Sequence, residues 1–438
     1  MKKINEKNCA CGKEHIFGSE VVTGKGAINK LPQCVRKLNA KKAFLLADIN
    51  TYKAAGEQVC EILRSKKIPY SEYIFTETAL EPDEKAVGSA IMHYDSSCDL
   101  IIGVGSGVIN DIGKILSNTT GNPYIIVATA PSMDGYASAS SSMSMDGVKV
   151  SLKSRCADII IGDIDILKQT PERMLISGIG DMLAKYISIC EWRISNLITG
   201  EYYCEEIAAL VREALRKCVL NADELLIRNE QAVEAVFSGL VLGGVAMNYA
   251  GISRPASGVE HYFSHVWDMR GLEFGTRVDF HGIQCAVGTL YAAKIYEKLK
   301  SYTPDREKAL KYVSGFDYEE YKEKLKAFIG KGADTMISLE KKEQKYNAQK
   351  HRDRLEIIIK NWDRIIEIIN DEIPSVGELE KLYKKINMPM SASGIGIDES
   401  IVPDTFEVTK DIRDKYVLSR LCWDLGVLNE AKDLISIR

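Results

Sequence analysis

This sequence is short of histidine, of net charge and of long uninterrupted apolar runs. Only six histidines serve 438 residues, so any clustering of them needs a reason. Lysine and arginine (57) nearly balance aspartate and glutamate (61), for a net charge of −4 and an isoelectric point near 6.0. There is no basic stripe of the kind a nucleic-acid partner requires. Behind Met1-Lys2-Lys3-Ile4-Asn5-Glu6-Lys7 no apolar run follows, so a signal peptide is not expected. Residues 235–253 are uncharged and long enough for a membrane span, but Gly239, Gly243, Gly244 and Gly251 interrupt them. A buried helix with close packing at its glycines is expected there, and no membrane insertion. The eleven cysteines are odd in number and scattered, which excludes a disulfide scaffold and points to reduced thiols in the cytoplasm. Cys9-Ala10-Cys11-Gly12-Lys13-Glu14-His15 holds three potential metal ligands without a second pair at zinc-finger spacing. It reads as a small terminal turn or a metal site. Internal repeats and low-complexity tracts are absent.

The chain is too long for one typical domain, and its 45% hydrophobic and 27% charged residues are ordinary for a globular protein. Up to about residue 165, short β runs alternate with helical stretches. Strands are expected over 42–47, 70–75, 100–104, 124–127 and 158–161, and helices over 51–65, 84–94 and 108–116. Continuous apolar strands between helices predict a parallel sheet covered on both faces. The Ser/Met-rich stretch 137–151, centred on Asp146-Gly147, reads as a hairpin. From Thr170 onward the pattern is helical, with helices expected over 205–228, 231–249 and 287–299. Leu355, Ile358, Ile359, Trp362, Ile365, Ile366 and Ile369 form a core-facing stripe. The charged run 340–354 reads as a solvated helix or loop. The expected division is an α/β domain over 1–168 and a helical domain over 169–438.

Three segments carry chemistry. Gly103-Val104-Gly105-Ser106-Gly107, followed by Asp111 and Lys114, lies directly after a buried strand and before a helix. That placement lets backbone N–H groups and a helix dipole meet a phosphate, although it is not the six-residue dinucleotide fingerprint. Asp48, at an earlier strand end, is a candidate for an adenosine ribose or a helix N-cap. Next, Thr129-Ala130-Pro131-Ser132-Met133-Asp134-Gly135-Tyr136-Ala137-Ser138 follows another strand, at the sheet edge where ligands of open α/β folds sit. In the third, Gly180-Asp181, Asp181 is either a carboxylate favoured at a helix start or an anionic metal ligand, and Lys185 lies one turn on. His261 and His265 share a helix face, and His281 can return to it from the next element. Neutral imidazoles with a carboxylate make a divalent-metal site with open positions, as catalysis needs.

Together, and in this order, these segments resemble the iron-containing alcohol dehydrogenase and dehydroquinate synthase-like superfamily, and within it the bacterial-type sn-glycerol-1-phosphate dehydrogenases. Ser253-Arg254-Pro255-Ala256-Ser257-Gly258-Val259-Glu260-His261 is the most specific block, and His281-Gly282 and the terminal Cys-x-Cys-Gly-Lys-x-His also fit. The resemblance implies a dehydroquinate synthase-like fold: an α/β N-terminal Rossmann-like domain for NAD(P) and an all-helical C-terminal domain with one divalent metal. It implies metal ligands Asp181, His261 and His281, with His265 near the reacting carbon and Asp134 near the substrate. The cofactor set is Asp48, Gly105, Ser106, Gly107, Asp111, Lys114, Thr129, Ser132 and Ser138. Many members place a fourth ligand, a histidine, where this chain has Lys185, which argues for an anionic substrate.

The implied reaction is interconversion of dihydroxyacetone phosphate and sn-glycerol 1-phosphate with NAD(P)H, with Lys185 and Arg254 as candidates for the substrate phosphate or for internal ion pairs. Zinc, nickel and iron(II) all suit the mixed nitrogen/oxygen site. The partners are thus a small phosphorylated triose or glycerol and, in a homo-oligomer, further copies of the chain. Alternative readings are a glycerol or polyol dehydrogenase of the same superfamily and a non-catalytic nucleotide-binding relative. Dehydroquinate synthase generally uses a glutamate ligand, so Asp181 disfavours it.

Overall fold

The computed structural model describes residues 9–77, 79–145, 148–276 and 278–436. The N-terminal stretch read for a signal and the Asp146-Gly147 turn lie outside them. Contacts divide the chain into two compact units, Met1–Met182 with Ala209–Ile252, and Leu183–Ala208 with Ser253–Arg438. The division is not the single cut at 168 expected from sequence. Helix Glu230–Ala250 follows the strands by some distance yet belongs to the sheet unit. Its Phe237 ring packs so closely on Gly162 that a methyl there would lie 2.0 Å from the ring.

The sheet unit contains β1 (Glu20–Gly24), β2 (Ala43–Asp48), β3 (Tyr70–Phe75), β4 (Leu100–Gly105), β5 (Tyr124–Ala128), the hairpin β6 (Ser140–Met145) and β7 (Val148–Lys153), and β8 (Ile159–Asp163). Six strands form one parallel sheet in the order β1-β8-β5-β4-β2-β3, and β6 and β7 pair antiparallel. The central strands β4, β5 and β8 are buried at every residue, as apolar runs covered on both faces require. Sequence patterning misses β1: on this edge strand only Val22 is buried. The expected helix over 51–65 is instead a short α-turn capped by Asp48, a π-turn at Tyr52–Gly56 and an α-helix at Glu57–Ser65. The chain leaves β2 for β3 on one side and returns to β4 on the other. That reversal is a topological switch point, where open α/β sheets bind ligands.

The helices that position functional groups are α1 (Gly107–Thr120), α2 (Glu172–Leu183), α3 (Lys185–Thr199), α4 (Glu230–Ala250), α5 (Val259–Phe274) and α6 (His281–Leu299). Among the described residues, α4 alone is long and apolar enough to cross a membrane, and 61% of its most apolar window is buried within the structure. In the helical unit the 355–369 stripe is core, with Leu355, Ile358, Trp362, Ile365 and Ile369 buried. The charged run 340–354 is less solvated than expected. Glu340 and His351 are buried, and Arg354 pairs with the buried Asp424 at 2.8 Å, since these helix faces turn inward.

Candidate active site

In the sheet unit the switch point is built from backbone. β4 ends at Gly105, and α1 begins two residues later at Gly107. A methyl on Gly105 would lie 2.5 Å from Ile109 Cβ, so only glycine allows this sharp return. The first N–H groups of α1 have no intrahelical acceptor, and its dipole favours an anion. Ser106, at the N-cap, does not cap with its side chain; its hydroxyl pairs with Ser132 Oγ at 2.7 Å. Thr129 N donates to Gly105 O at 3.1 Å, tying the second loop to the first. Asp48, on the neighbouring strand β2, accepts from Asn50 N (2.8 Å) and Thr51 N (3.0 Å) through Oδ1, so the N-cap role is realised. Gly105, Ser106, Gly107, Thr129, Ser132 and Asp48 thus lie at one edge of the sheet.

Other residues expected at the cofactor are spent inside the fold. Lys114 is fully buried, paired with Asp111 at 2.9 Å and donating to the carbonyls of Gly135 and Ser140. Its three N–H groups are thereby used, so it fastens α1 to the loop rather than reaching a phosphate. Asp111 is the other half of that pair. Ser138 is buried and hydrogen-bonds Ser140 Oγ at 2.9 Å.

The Gly180-Asp181 segment differs from its sequence reading. Asp181 stands in the last turn of α2, not at a helix start, and is fully buried. The helix dipole there disfavours a carboxylate. Its Oδ2 accepts from Asp134 N at 2.9 Å. α2 seats against the Pro131 loop because position 178 is glycine: a methyl there would lie 1.8 Å from Pro131 O. Ser177 Oγ also donates to Ser132 O at 2.8 Å.

In the helical unit the site is built from side chains. His261 lies in the first turn of α5, and His281 opens α6. Their ring centroids are 5.0 Å apart. α5 and α6 approach closely at Gly288, where a methyl would lie 2.7 Å from Glu260 O. His261 Nδ1 donates to Glu260 Oε1 at 2.8 Å, and His281 Nδ1 pairs with Ser264 Oγ at 2.9 Å. Each imidazole is thus held at Nδ1, as is usual for metal-binding histidine, and His281 Nε2 lies 3.6 Å from Cys285 Sγ. Cys285, one turn along α6, was not read from the sequence, although a cysteine four residues after His281 was a signal for it. Burial raises its thiol pKa, but His261 and His281 outweigh burial and lower it. His261, His281 and Cys285 each have a ligand atom within 4.8 Å of the others. Burial, Arg413 and the two neighbouring histidines depress His265 well below the usual range, so it is neutral.

Behind His261 lie two buried carboxylates. Glu191, on α3, accepts from Val259 N (2.9 Å) and Leu418 N (2.8 Å), and Glu260 accepts from Gly258 N (2.7 Å). A methyl on Gly258 would lie 2.6 Å from Glu191 Oε2 and 2.7 Å from Glu260 Oε2, which explains the glycine. Burial and the Glu260 charge push Glu191 up to about 8. Glu191 therefore keeps its proton at neutral pH.

Arg254 does not present its charge to a ligand. It is fully buried, paired with Glu201 at 2.7 Å and hydrogen-bonded to Ser195 Oγ (3.0 Å) and Tyr416 O (2.9 Å). Lys185, also buried, donates to Ala256 O at 3.1 Å and holds the 253–257 segment on α3. The basic residue missed from sequence is Lys415, which donates to Ser257 O at 2.8 Å and lies 5.7 Å from the centre of the Tyr262 ring. Burial, with Arg254 and Arg413, lowers it to about 7. No spacing signal marked it, because it arrives from a distant loop. A groove of about 550 Å³ between Tyr312, Tyr321, Asp404 and Lys432 shares no residue with this cluster.

Known proteins resemble this chain. The family model described as iron-containing alcohol dehydrogenase matches residues 22–171. A relative from Halalkalibacterium halodurans named glycerol-1-phosphate dehydrogenase (NAD(P)+) is 29% identical over 94% of each chain. One of the same name from Bacillus licheniformis is 32% identical over 66% of this chain and 74% of its own. The crystal structure of glycerol dehydrogenase from Schizosaccharomyces pombe shares the fold with a TM-score of 0.61, at 18% identity, covering 97% of this chain and 92% of that one. The family implies NAD(P) and a divalent metal. The chain belongs to the iron-containing alcohol dehydrogenase family, among the relatives named glycerol-1-phosphate dehydrogenase, and is an oxidoreductase of that family.

Proposed function

We propose that the protein interconverts dihydroxyacetone phosphate and sn-glycerol 1-phosphate with NAD(P)H, using one divalent cation held by Asp181, His261 and His281. The observation that carries this reading is the pair His261 and His281, each engaged through Nδ1 and converging with ligand atoms within 4.8 Å of one another. The buried Asp181 carboxylate supports it as an anionic oxygen donor. The bound cation supplies Lewis acidity at the ketone oxygen, and the nicotinamide supplies hydride. Zinc, nickel and iron(II) all suit the donor set.

The chain's own residues do the rest. The Gly105–Gly107 turn and the start of α1 take the cofactor pyrophosphate, flanked by Ser106, Ser132 and Thr129. Asp48 Oδ2 takes a ribose hydroxyl while Oδ1 keeps its capping bonds. Glu260 fixes the tautomer of His261. Asp134 orients the substrate hydroxyls. His265, neutral, passes a proton to the C2 oxygen through an N–H. Lys415, with Arg413 beside it, takes the substrate phosphate in place of Arg254, and Lys185 positions the 253–257 segment. None of the eleven cysteines is paired in a disulfide, which supports a cytoplasmic setting.

The test is NADH oxidation with dihydroxyacetone phosphate against free dihydroxyacetone, after metal removal and re-addition of zinc, nickel or iron(II). Turnover confined to the phosphorylated ketone and to metal-loaded protein is expected. Preferred turnover of the free ketone reassigns the protein as a polyol dehydrogenase and removes Lys415 from the phosphate.

A further inference from the structure

The N-terminal cysteine motif takes no part in the reaction above, yet its side chains converge. Gly12 N donates to Cys9 O at 2.9 Å, closing a turn in which Gly12 has φ +77°. That conformation suits glycine, and the turn folds Cys11 back beside Cys9. His15 then comes round so that its Nε2 lies 3.2 Å from Cys11 Sγ. The donor atoms of Cys9, Cys11 and His15 all lie within 4.8 Å of one another. In a tetrahedral zinc site, bonds of about 2.3 Å to sulfur and 2.0–2.1 Å to nitrogen place donors roughly 3.5–3.8 Å apart, so the cluster needs only small adjustment to close on an ion.

The histidine shows which nitrogen is offered. His15 is fully buried, and its Nδ1 lies 3.1 Å from the carbonyl oxygen of Tyr249. A carbonyl only accepts, so Nδ1 carries the proton and Nε2 presents its lone pair toward Cys11. A ring nitrogen tied to a carbonyl while the other faces thiols is the usual outer-shell arrangement of a histidine ligand. Tyr249 is in the last turn of α4, where a backbone carbonyl has no intrahelical donor. One residue therefore satisfies the helix end and faces the thiol pair.

We propose that Cys9, Cys11 and His15 bind a structural zinc ion that fastens the N-terminal segment to the end of α4. Thiolate-rich donor sets favour zinc over the harder cations, and burial of Cys9 and His15 suits a closed, non-catalytic site. The remaining position of the tetrahedron belongs to a further donor, which single Cys→Ser substitutions of the other thiols identify.

The experiment uses the full chain with the catalytic histidines removed (His261→Ala/His281→Ala), dialysed against a mild chelator. About one zinc per chain should remain, and adding Cys11→Ser should reduce it to none. Cobalt in place of that zinc should give a near-ultraviolet thiolate charge-transfer band that disappears with Cys11→Ser. In the otherwise unmodified protein, zinc should protect Cys9 and Cys11 from iodoacetamide, and its removal should expose both, a readout that needs no variant to fold. Zinc-free double-variant protein without the cobalt band, or equal labelling of both thiols with and without zinc, overturns the proposal.

Discussion

The two units build their sites from different materials. In the sheet unit the cradle is backbone: a strand end, a glycine turn that Ile109 keeps free of any side chain, and a helix start. In the helical unit the site is buried polar and ionisable side chains held by neighbours: Glu260 behind His261, Ser264 behind His281. A backbone site tolerates changes in its surroundings provided the turn survives. A site made of mutually held charges does not, because each lost partner leaves another charge buried.

That contrast predicts which positions fail through stability and which through chemistry. The largest expected effect is at Arg254. Arg254→Met leaves the Tyr416 carbonyl without its donor and Glu201 with Ser195 Oγ in place of its ion pair, and should lower unfolding free energy by on the order of 3 kcal/mol. Denaturant melts measure this, and the KM for the phosphorylated ketone should hardly change. A variant that keeps its stability but loses affinity for the phosphorylated ketone would return Arg254 to the substrate.

Glu260→Gln comes next. It keeps the size of the side chain but weakens the hold on His261, and should reduce metal affinity by roughly 10–100-fold, read by competition with a chelating dye. It should also change the pH dependence of stability. The folded-state pKa of Glu191 is raised to about 8, so folded protein keeps a proton that the unfolded chain releases in the ordinary carboxylate range. Stability should therefore be fully present at acid pH as far as this group is concerned, and fall as pH rises toward 8, by up to about 1.4 kcal/mol per pH unit. Removing the Glu260 charge should flatten that slope.

The smallest effect is at Lys415. Lys415→Met should raise the KM for dihydroxyacetone phosphate about tenfold, the equivalent of about 1.4 kcal/mol, with little change for free dihydroxyacetone. Burial, helped by Arg254 and Arg413, lowers this lysine to about 7, while Glu260 and Glu201 oppose it. The unmodified enzyme should therefore bind the phosphorylated ketone more weakly as pH rises above 7, and the variant should lose that dependence.

What the sequence made legible follows the same division. The parallel strands, the hairpin and the glycine turn were readable because apolar runs and glycine spacing are local signals. The edge strand β1 was not, since one buried valine makes no pattern. His261 and His281 stood out by scarcity and spacing. The true partners of Lys114 and Arg254 did not, because an ion pair such as Arg254–Glu201 depends on how helices pack, not on how far apart residues are in the chain. Lys415 and Glu191 were hidden for the same reason. Asp181 was singled out for its residue type but placed at the wrong end of its helix, since α2 opens after Pro171, earlier than Gly180 suggested.

The most direct test of the central claim, that cofactor and metal are held by separate devices, pairs an NADH fluorescence titration with metal analysis of Asp181→Ala and His261→Ala protein. Both variants should bind NADH with affinity within about twofold of the unmodified enzyme while losing the metal and turnover together. Turnover that survives without metal, or NADH binding lost along with the metal, would contradict the account.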